Sequence, residues 1–165
     1  MQIHELVREQ VLPGTPAAVF WFFADARNLE AITPPLLRFE VVTPGVIPMR
    51  VGTLIQYRLT LRGVGVNWLT SIQEWDPPHR FVDVQVRGPY RLWHHTHEVE
   101  ALADGRALMR DTVRYAIGFG PIGALVHRLV VRRDLEAIFD YRAAAIASPS
   151  KIMPTPGSSP SCSAR

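Results

Sequence analysis

Three histidines stand close together in the segment RLWHHTHEVE, residues 91–100: His94, His95 and His97. An imidazole can ligate a metal, act as a general acid or base near neutral pH, or supply a polar wall to a pocket. Their spacing has one meaning on a helix and another on a strand, because side chains repeat about every 3.6 residues on a helix and every two on a strand. The elements that carry the histidines must therefore be identified first.

Apolar and polar side chains alternate along the middle of the chain, which predicts β-strands. Turns rich in Pro, Gly and Asp separate the segments, and the short connections predict an antiparallel meander. An imperfectly alternating segment at residues 2–12 adds a first strand before the breaker Pro13-Gly14. The six later segments are residues 36–43, 53–63, 66–75, 80–86, 91–101 and 107–117.

Helix signals flank the strands. Thr15 can cap a helix that starts at Pro16, and the following residues predict two short helices that meet near Asp25 and stop at Pro34-Pro35. Residues 122–147 carry apolar side chains at three- and four-residue steps, which predicts one long amphipathic helix. Residues 148–165 are rich in Ser and Pro and predict a disordered tail.

Composition places the 165-residue chain among ordinary globular proteins, with 47% hydrophobic and 20% charged residues. We expect one domain, residues 1–147. The lone Cys162 excludes a disulfide framework, and no signal peptide or membrane-spanning run is visible, so we expect a cytoplasmic protein without stable membrane insertion. A net charge of +3 without a basic face argues against nucleic acid. The signatures of dinucleotide, nucleotide-triphosphate, serine-esterase and zincin chemistry are missing.

Four segments carry a resemblance to a known superfamily: ITPPLLRF, IQEWDPPHRFVD, GPYRLWHHTH and HRLVVRRDLEAIFDYR. Across roughly residues 2–147 the chain resembles the SRPBCC (START/Bet v 1-like) superfamily, and in particular its polyketide cyclase/dehydrase-like bacterial subgroup. The resemblance implies an α+β helix-grip fold, in which a curved, antiparallel seven-stranded sheet wraps around a long C-terminal helix. It also implies a cavity between sheet and helix that takes a hydrophobic or amphipathic small molecule.

On a strand, alternation places His95 and His97 on one face and His94 on the other. The apolar neighbours of His95 and His97 mark their face as the inner one. On the following strand the same reasoning turns Asp111 and Tyr115 inward, and the ADGR hairpin brings Asp111 near His95 or His97.

Further inward positions complete the predicted ligand-binding set. Glu74 is among them and needs a partner such as Arg80, whereas the inner or outer position of Asp83 and Gln85 is open, because the opposite face of their strand is also apolar. The full predicted set is Tyr57, Leu59, Trp68, Thr70, Ile72, Glu74, Asp83, Gln85, Trp93, His95, His97, Val113 and Tyr115.

Three interpretations of the histidines compete. His95 and His97 could ligate one metal, with Asp111 or Glu74 as a third ligand. A cavity-lining His-Asp pair could instead perform acid-base catalysis, with His95, His97, Asp111 and Tyr115 as the candidate catalytic residues. We favour the third interpretation, hydrogen-bonded polar lining, because buried polar groups need partners whether or not they react. We expect no metal and no cofactor.

The sequence therefore predicts a binding or carrier protein for a hydrophobic or amphipathic small molecule, rather than an enzyme. The first alternative is a cofactor-independent polyketide cyclase, aromatase or dehydratase. The second is a module that binds a protein partner, for which the sequence specifies no partner.

Overall fold

The computed structural model describes residues 2–118 and 131–147. These residues form seven strands, three α-helices and one short 3-10 helix. The strands are β1 (His4–Leu12), β2 (Glu40–Val41), β3 (Leu54–Leu61), β4 (Val64–Asp76), β5 (Arg80–Arg87), β6 (Leu92–Ala101) and β7 (Ala107–Ala116). The helices are α1 (Pro16–Ala24), α2 (Asn28–Ala31) and α3 (Arg132–Ile146), and the 3-10 helix is Pro35–Leu37.

All seven strands join one curved antiparallel sheet in the order β1-β7-β6-β5-β4-β3-β2. The strands from β2 to β7 follow chain order, as the short connections predict, and β1 adds to β7 at the far edge. Burial alternates along β3 and β7, because one face of the sheet packs against the interior and the other faces solvent. On the solvent face Arg110 and Arg114 of β7 pair with Glu9 and Glu5 of β1.

Helix α1 starts where its sequence signals predict. The Thr15 hydroxyl accepts a hydrogen bond from the Ala18 amide at 3.3 Å, and Pro16 occupies the first helical turn, where its missing N–H costs nothing. Phe20 and Phe23 of this helix are buried in a core cluster with Leu12 at the end of β1.

Helix α3 buries one stripe of side chains against the sheet. Leu135 and Phe139 pack on Val113 and Tyr115 of β7, and Ile146 joins the cluster under α1. This helix confirms the second half of the helix predicted over residues 122–147. Residues 122–130 and the predicted tail 148–165 lie outside the described residues, so those parts stay predictions.

One predicted strand is much shorter than expected. Residues 36–43 contain a 3-10 turn, and only Glu40–Val41 pair with β3. Arg38 has a positive φ of 43°, a left-handed conformation that interrupts the extended backbone. Within the described part of the chain, no helix is long and apolar enough to span a membrane.

Candidate functional site

A cavity of about 140 Å³ lies between the sheet and α3. Strands β3 to β6 supply one wall, α3 supplies the other, and residues from α2 and the 3-10 region close one side. Most of its wall is apolar or aromatic, which is the usual composition of a small-molecule site. Eight of the predicted binding residues line it: Tyr57, Leu59, Trp68, Thr70, Asp83, Trp93, His95 and His97.

Strand register concentrates four ionisable groups at one place on the sheet wall. Asp83 of β5 lies directly opposite His95 of β6, and Asp111 of β7 lies directly opposite His97. Each histidine therefore has one carboxylate beside it and the other diagonally across, within reach of a cross-strand contact. His95 and His97 are 5% and 4% exposed, so these contacts are made away from water.

The hydrogen bonds run diagonally. His95 Nε2 lies 3.0 Å from Asp111 Oδ1, and His97 Nε2 lies 2.9 Å from Asp83 Oδ2. The two remaining ring nitrogens also face carboxylates: His95 Nδ1 is 3.5 Å from Asp83 Oδ2, and His97 Nδ1 is 2.8 Å from Asp111 Oδ1. The last contact is short but lacks hydrogen-bond geometry, so its nitrogen is left without a hydrogen bond.

This environment shifts the pKa values of the two histidines in opposite directions. Burial and the neighbouring His97 lower the pKa of His95, against the raising effect of Asp111 and Asp83. Burial also opposes the charged form of His97, but the close Asp111 carboxylate and the hydrogen bond to Asp83 outweigh it and raise the pKa of His97. His97 is therefore the histidine that holds a proton more strongly, and His95 the one that favours the neutral form.

Both carboxylates stay ionised in this cluster. Burial alone would raise the pKa of Asp111, yet its hydrogen bond with His95 and its close contact with His97 lower that pKa far below its usual range. The pKa of Asp83 is lowered in the same way: burial opposes its charge, while the bond to His97, the field of His95 and the field of Arg142 favour it. His97 lies in contact with both carboxylates, and Arg142 acts on Asp83 at longer range.

Arg142 of α3 faces the cluster from the opposite wall of the cavity. Burial lowers the pKa of Arg142, and Asp111, Asp83 and Tyr57 act in the opposite direction. Protonated His97 and Arg142 then carry two positive charges, which balance the two negative charges of Asp83 and Asp111.

Aromatic rings extend from both sides of the cluster. Phe81 stacks on the His97 ring with centroids 4.1 Å apart and an interplanar angle of 14°. At the other end Trp68, Tyr90 and Trp93 pack edge to face or tilted, with centroids 4.9 to 5.5 Å apart. The polar cluster thus occupies a short stretch of an otherwise apolar, aromatic wall.

The predicted inward position of Glu74 is wrong. A β-bulge between Ile72 and Glu74 inserts Gln73 into the β4–β5 pairing, and one extra residue reverses the faces that follow it. The side chain of Glu74 is 49% exposed and pairs with Arg80 at 3.3 Å, the partner that the sequence suggested. Trp75 takes the inner position instead and packs in the core.

Four further predicted residues do not line the cavity. Ile72 and Val113 are core residues, 2% and 0% exposed. Gln85 bonds the main chain of Tyr90 at 2.7 and 3.2 Å, so its side chain closes the turn between β5 and β6. Tyr115 is buried beside the cavity, where its ring contacts Trp93 and Tyr90.

Sequence reasoning missed the residues that α3 and the loops bring to the cavity. A signal for Arg142 exists: Leu135, Phe139, Arg142 and Ile146 follow steps of four, three and four residues, which places Arg142 on the buried stripe of the helix. For Tyr90 the sequence signal is weaker: its position at a turn indicates that it could lie at the cavity mouth. The lining residues outside the predicted set are Leu29, Thr33, Leu37, Phe39, Leu61, Tyr90, Leu135, Ile138, Phe139 and Arg142.

Asp83, His95 and His97 each offer one atom within 4.8 Å of the others, a spacing that could hold a metal ion. Two observations favour the hydrogen-bonded cluster instead. The hydrogen bonds to the carboxylates already engage one nitrogen of each histidine, and the Arg142 cation faces the same place. Our expectation of no metal stays a prediction.

The seven-stranded sheet packed against α3 is a helix-grip fold, and comparison with solved structures confirms that fold. The protein TTHA0849 from Thermus thermophilus matches with a TM-score of 0.63 at 21% identity, covering 89% of this chain and 99% of its own. A norcoclaurine synthase point mutant from Thalictrum, in complex with a transition-state analogue, matches with a TM-score of 0.63 at 13% identity, covering 88% of this chain and 94% of its own. The Zhui aromatase/cyclase from Streptomyces matches with a TM-score of 0.61 at 15% identity, covering 92% of each chain.

No protein-family model and no curated protein sequence matches the chain. The similarity to the solved structures is a similarity of fold.

Proposed function

We propose that this protein binds a hydrophobic or amphipathic small molecule in the cavity between the sheet and α3. The observation that carries the proposal is the composition of the cavity wall, which is apolar and aromatic except for one polar cluster. An apolar wall favours the body of such a ligand, and a few fixed polar groups orient it. The fold is consistent with this role, since norcoclaurine synthase in complex with a transition-state analogue shares it.

An outer groove extends the space available to the ligand. Its volume is about 830 Å³, and it shares Leu37, Leu61 and Ile138 with the cavity. The cavity alone is smaller than the roughly 300 to 1,000 Å³ typical of drug-sized ligands. A bound molecule would therefore place one end in the cavity and the rest along the groove.

Filling the cavity tests the proposal. Leu59→Trp adds an indole where the side chain is 7% exposed and lines the cavity, whereas Leu54→Trp adds it on the same strand at a position that is 54% exposed. We expect Leu59→Trp to weaken binding of 1-anilinonaphthalene-8-sulfonate at least tenfold and Leu54→Trp to leave it unchanged. Equal binding by both variants would refute the cavity as the site. Native mass spectrometry of the purified protein would show any ligand carried from cells.

A second candidate function is a cyclase or dehydratase, favoured by the opposite pKa shifts of His95 and His97. Two neighbouring groups whose pKa values are separated can act as base and acid in one reaction. Neutral His95 would take a proton from the carbon beside a ketone, and protonated His97 would give its proton to the departing hydroxyl, so that water leaves and a double bond forms. The Zhui aromatase/cyclase shares the fold.

This second candidate is tested with β-hydroxyketone thioesters by following dehydration with mass spectrometry. His97→Gln should abolish turnover, and His94→Gln, on the opposite face of the same strand, should not. Turnover that survives His97→Gln would exclude the role of His97. Asp111 would position both histidines, and Tyr115, which does not line the cavity, is the weakest of the predicted catalytic residues.

A further inference from the structure

Arg142 is a cation inside the cavity for which the described part of the chain provides no direct partner. Its Nε is buried without a hydrogen bond. Its guanidinium carbon lies 5.0 Å from the centroid of the Phe139 ring, a cation–π contact within the same helix. Arg132 of the same helix, by contrast, pairs with Glu136 at the surface. A buried guanidinium without a hydrogen-bonded anion is costly, so this arrangement is incomplete as it stands.

The two nearby carboxylates do not supply the missing hydrogen-bond partner of Arg142. Asp83 and Asp111 attract Arg142 through space, but their short contacts are all with His95 and His97. Since neither carboxylate bonds it and its Nε has no partner among residues 2–118 and 131–147, the guanidinium of Arg142 can bind an oxygen that enters the cavity. A planar guanidinium binds a carboxylate through two parallel hydrogen bonds, which a single ammonium cannot do.

Two hydroxyls on the sheet wall, opposite Arg142, add further donors. Thr70 Oγ1 accepts a hydrogen bond from Trp68 Nε1 at 3.0 Å, which leaves the Thr70 O–H to donate. Tyr57 also lines the cavity, and its hydroxyl stays protonated because burial and the field of Asp83 raise its pKa, against the opposing field of Arg142. Together with Arg142 these hydroxyls offer donors to a ligand group that accepts hydrogen bonds.

We propose that Arg142 anchors the carboxylate of an amphipathic carboxylic acid, whose apolar body lies against the aromatic wall and along the outer groove. This inference rests on the proposed ligand-binding function and adds the chemical class of the ligand. The apolar wall by itself would accept a neutral ligand equally well, so selectivity for the acid comes from Arg142.

The test compares a fluorescent fatty acid, cis-parinaric acid, with its methyl ester, which has the same chain and no charge. We expect wild-type protein to bind the acid at least tenfold more tightly than the ester. Arg142→Met keeps an unbranched apolar side chain and removes the charge, so it should weaken binding of the acid at least tenfold and change binding of the ester less than twofold. Arg142→Lys should restore part of the affinity for the acid.

Arg133→Met is the matched control, because Arg133 lies on the same helix and is exposed. It should bind both probes as the wild type does. Binding of the ester by Arg142→Met also shows that the variant is folded. If wild-type protein binds acid and ester equally, or if Arg142→Met binds the acid normally, the anchoring role is wrong and the cavity still binds ligands. If wild-type protein binds neither probe, both this inference and the proposed function fail.

Discussion

Asp111→Asn tests whether the histidine–carboxylate cluster stabilises the fold. Asp111 Oδ1 is 3.0 Å from His95 Nε2 and 2.8 Å from His97 Nδ1, and its side chain is only 9% exposed. The substitution keeps the shape of the side chain and one oxygen acceptor but removes the charge. His97 then keeps only Asp83 as a carboxylate partner, so its protonated form becomes harder to bury.

The expected loss follows from the burial of this pair. Removing one partner of a buried ion pair costs about 3 to 5 kcal/mol, and we expect the lower end, because asparagine can still accept the His95 hydrogen bond. For a domain of this size, a loss of about 3 kcal/mol lowers Tm by roughly 6 to 12 °C.

The pH dependence has a definite sign. The folded pKa of Asp111 is lowered, so its contribution to stability is present above the unfolded pKa of about 3.9 and is lost as pH falls through the folded pKa. We therefore expect the full difference between wild type and variant at pH 7 and at pH 5.5, and a smaller difference below about pH 4.

Urea unfolding followed by tryptophan fluorescence measures the loss, since the chain has four tryptophans. Asp140→Asn is the matched control: Asp140 faces Arg8 at 3.6 Å with a side chain that is 70% exposed, and surface pairs of this kind contribute about 0 to 1 kcal/mol. If Asp111→Asn destabilises the protein no more than Asp140→Asn does, the cluster does not contribute as the distances indicate.

Two further predictions concern other features of the fold. The raised pKa of His97 means that its contribution to stability is complete below the unfolded pKa of about 6.5 and is lost as pH rises through the folded pKa, so His97→Gln should cost more at pH 6 than at pH 9. Equal costs in urea unfolding at both pH values would contradict this. Gly63 in the turn between β3 and β4 has φ +84°, so Gly63→Ala should destabilise by about 1 kcal/mol through backbone strain. Gly65→Ala is the control, because φ is not positive there and space is open. Equal losses of Tm in the two variants would refute the backbone strain at Gly63.

Much of the fold is predictable because alternation along a strand is a local property. Period two identifies β3 to β7 and places His95, His97 and Asp111 on one face, and the ADGR hairpin then brings Asp111 beside the histidines. Asp83 is in the predicted set, but the local pattern leaves its face open, because both faces of β5 carry apolar residues. Its register opposite His95 depends on long-range pairing that the local pattern does not specify.

Two errors have distinct physical causes. Alternation misplaces Glu74 because a single inserted residue at the bulge reverses the faces of β4, and nothing in the pattern marks an insertion. The inward position of Arg142 is not predicted, because a charged side chain in an amphipathic helix is expected to face water. Its four-three-four spacing from Leu135, Phe139 and Ile146 contradicts that expectation, and helix spacing is the stronger evidence.

The cluster and Arg142 contribute to different properties of the molecule. Buried ion pairs are weak sources of stability compared with apolar residues of the same volume, so the apolar wall around Leu59 and Phe139 does not need four charges to hold the sheet against α3. Within the cluster each histidine makes a hydrogen bond to a carboxylate, whereas the Nε of Arg142 has no hydrogen-bond partner among the described residues. Loss of Asp111 should therefore lower stability more than loss of Arg142, and loss of Arg142 should change ligand selectivity more than it changes stability. The opposite ranking would mean that Arg142 is a structural counter-ion for the carboxylates and that ligand selectivity has another source.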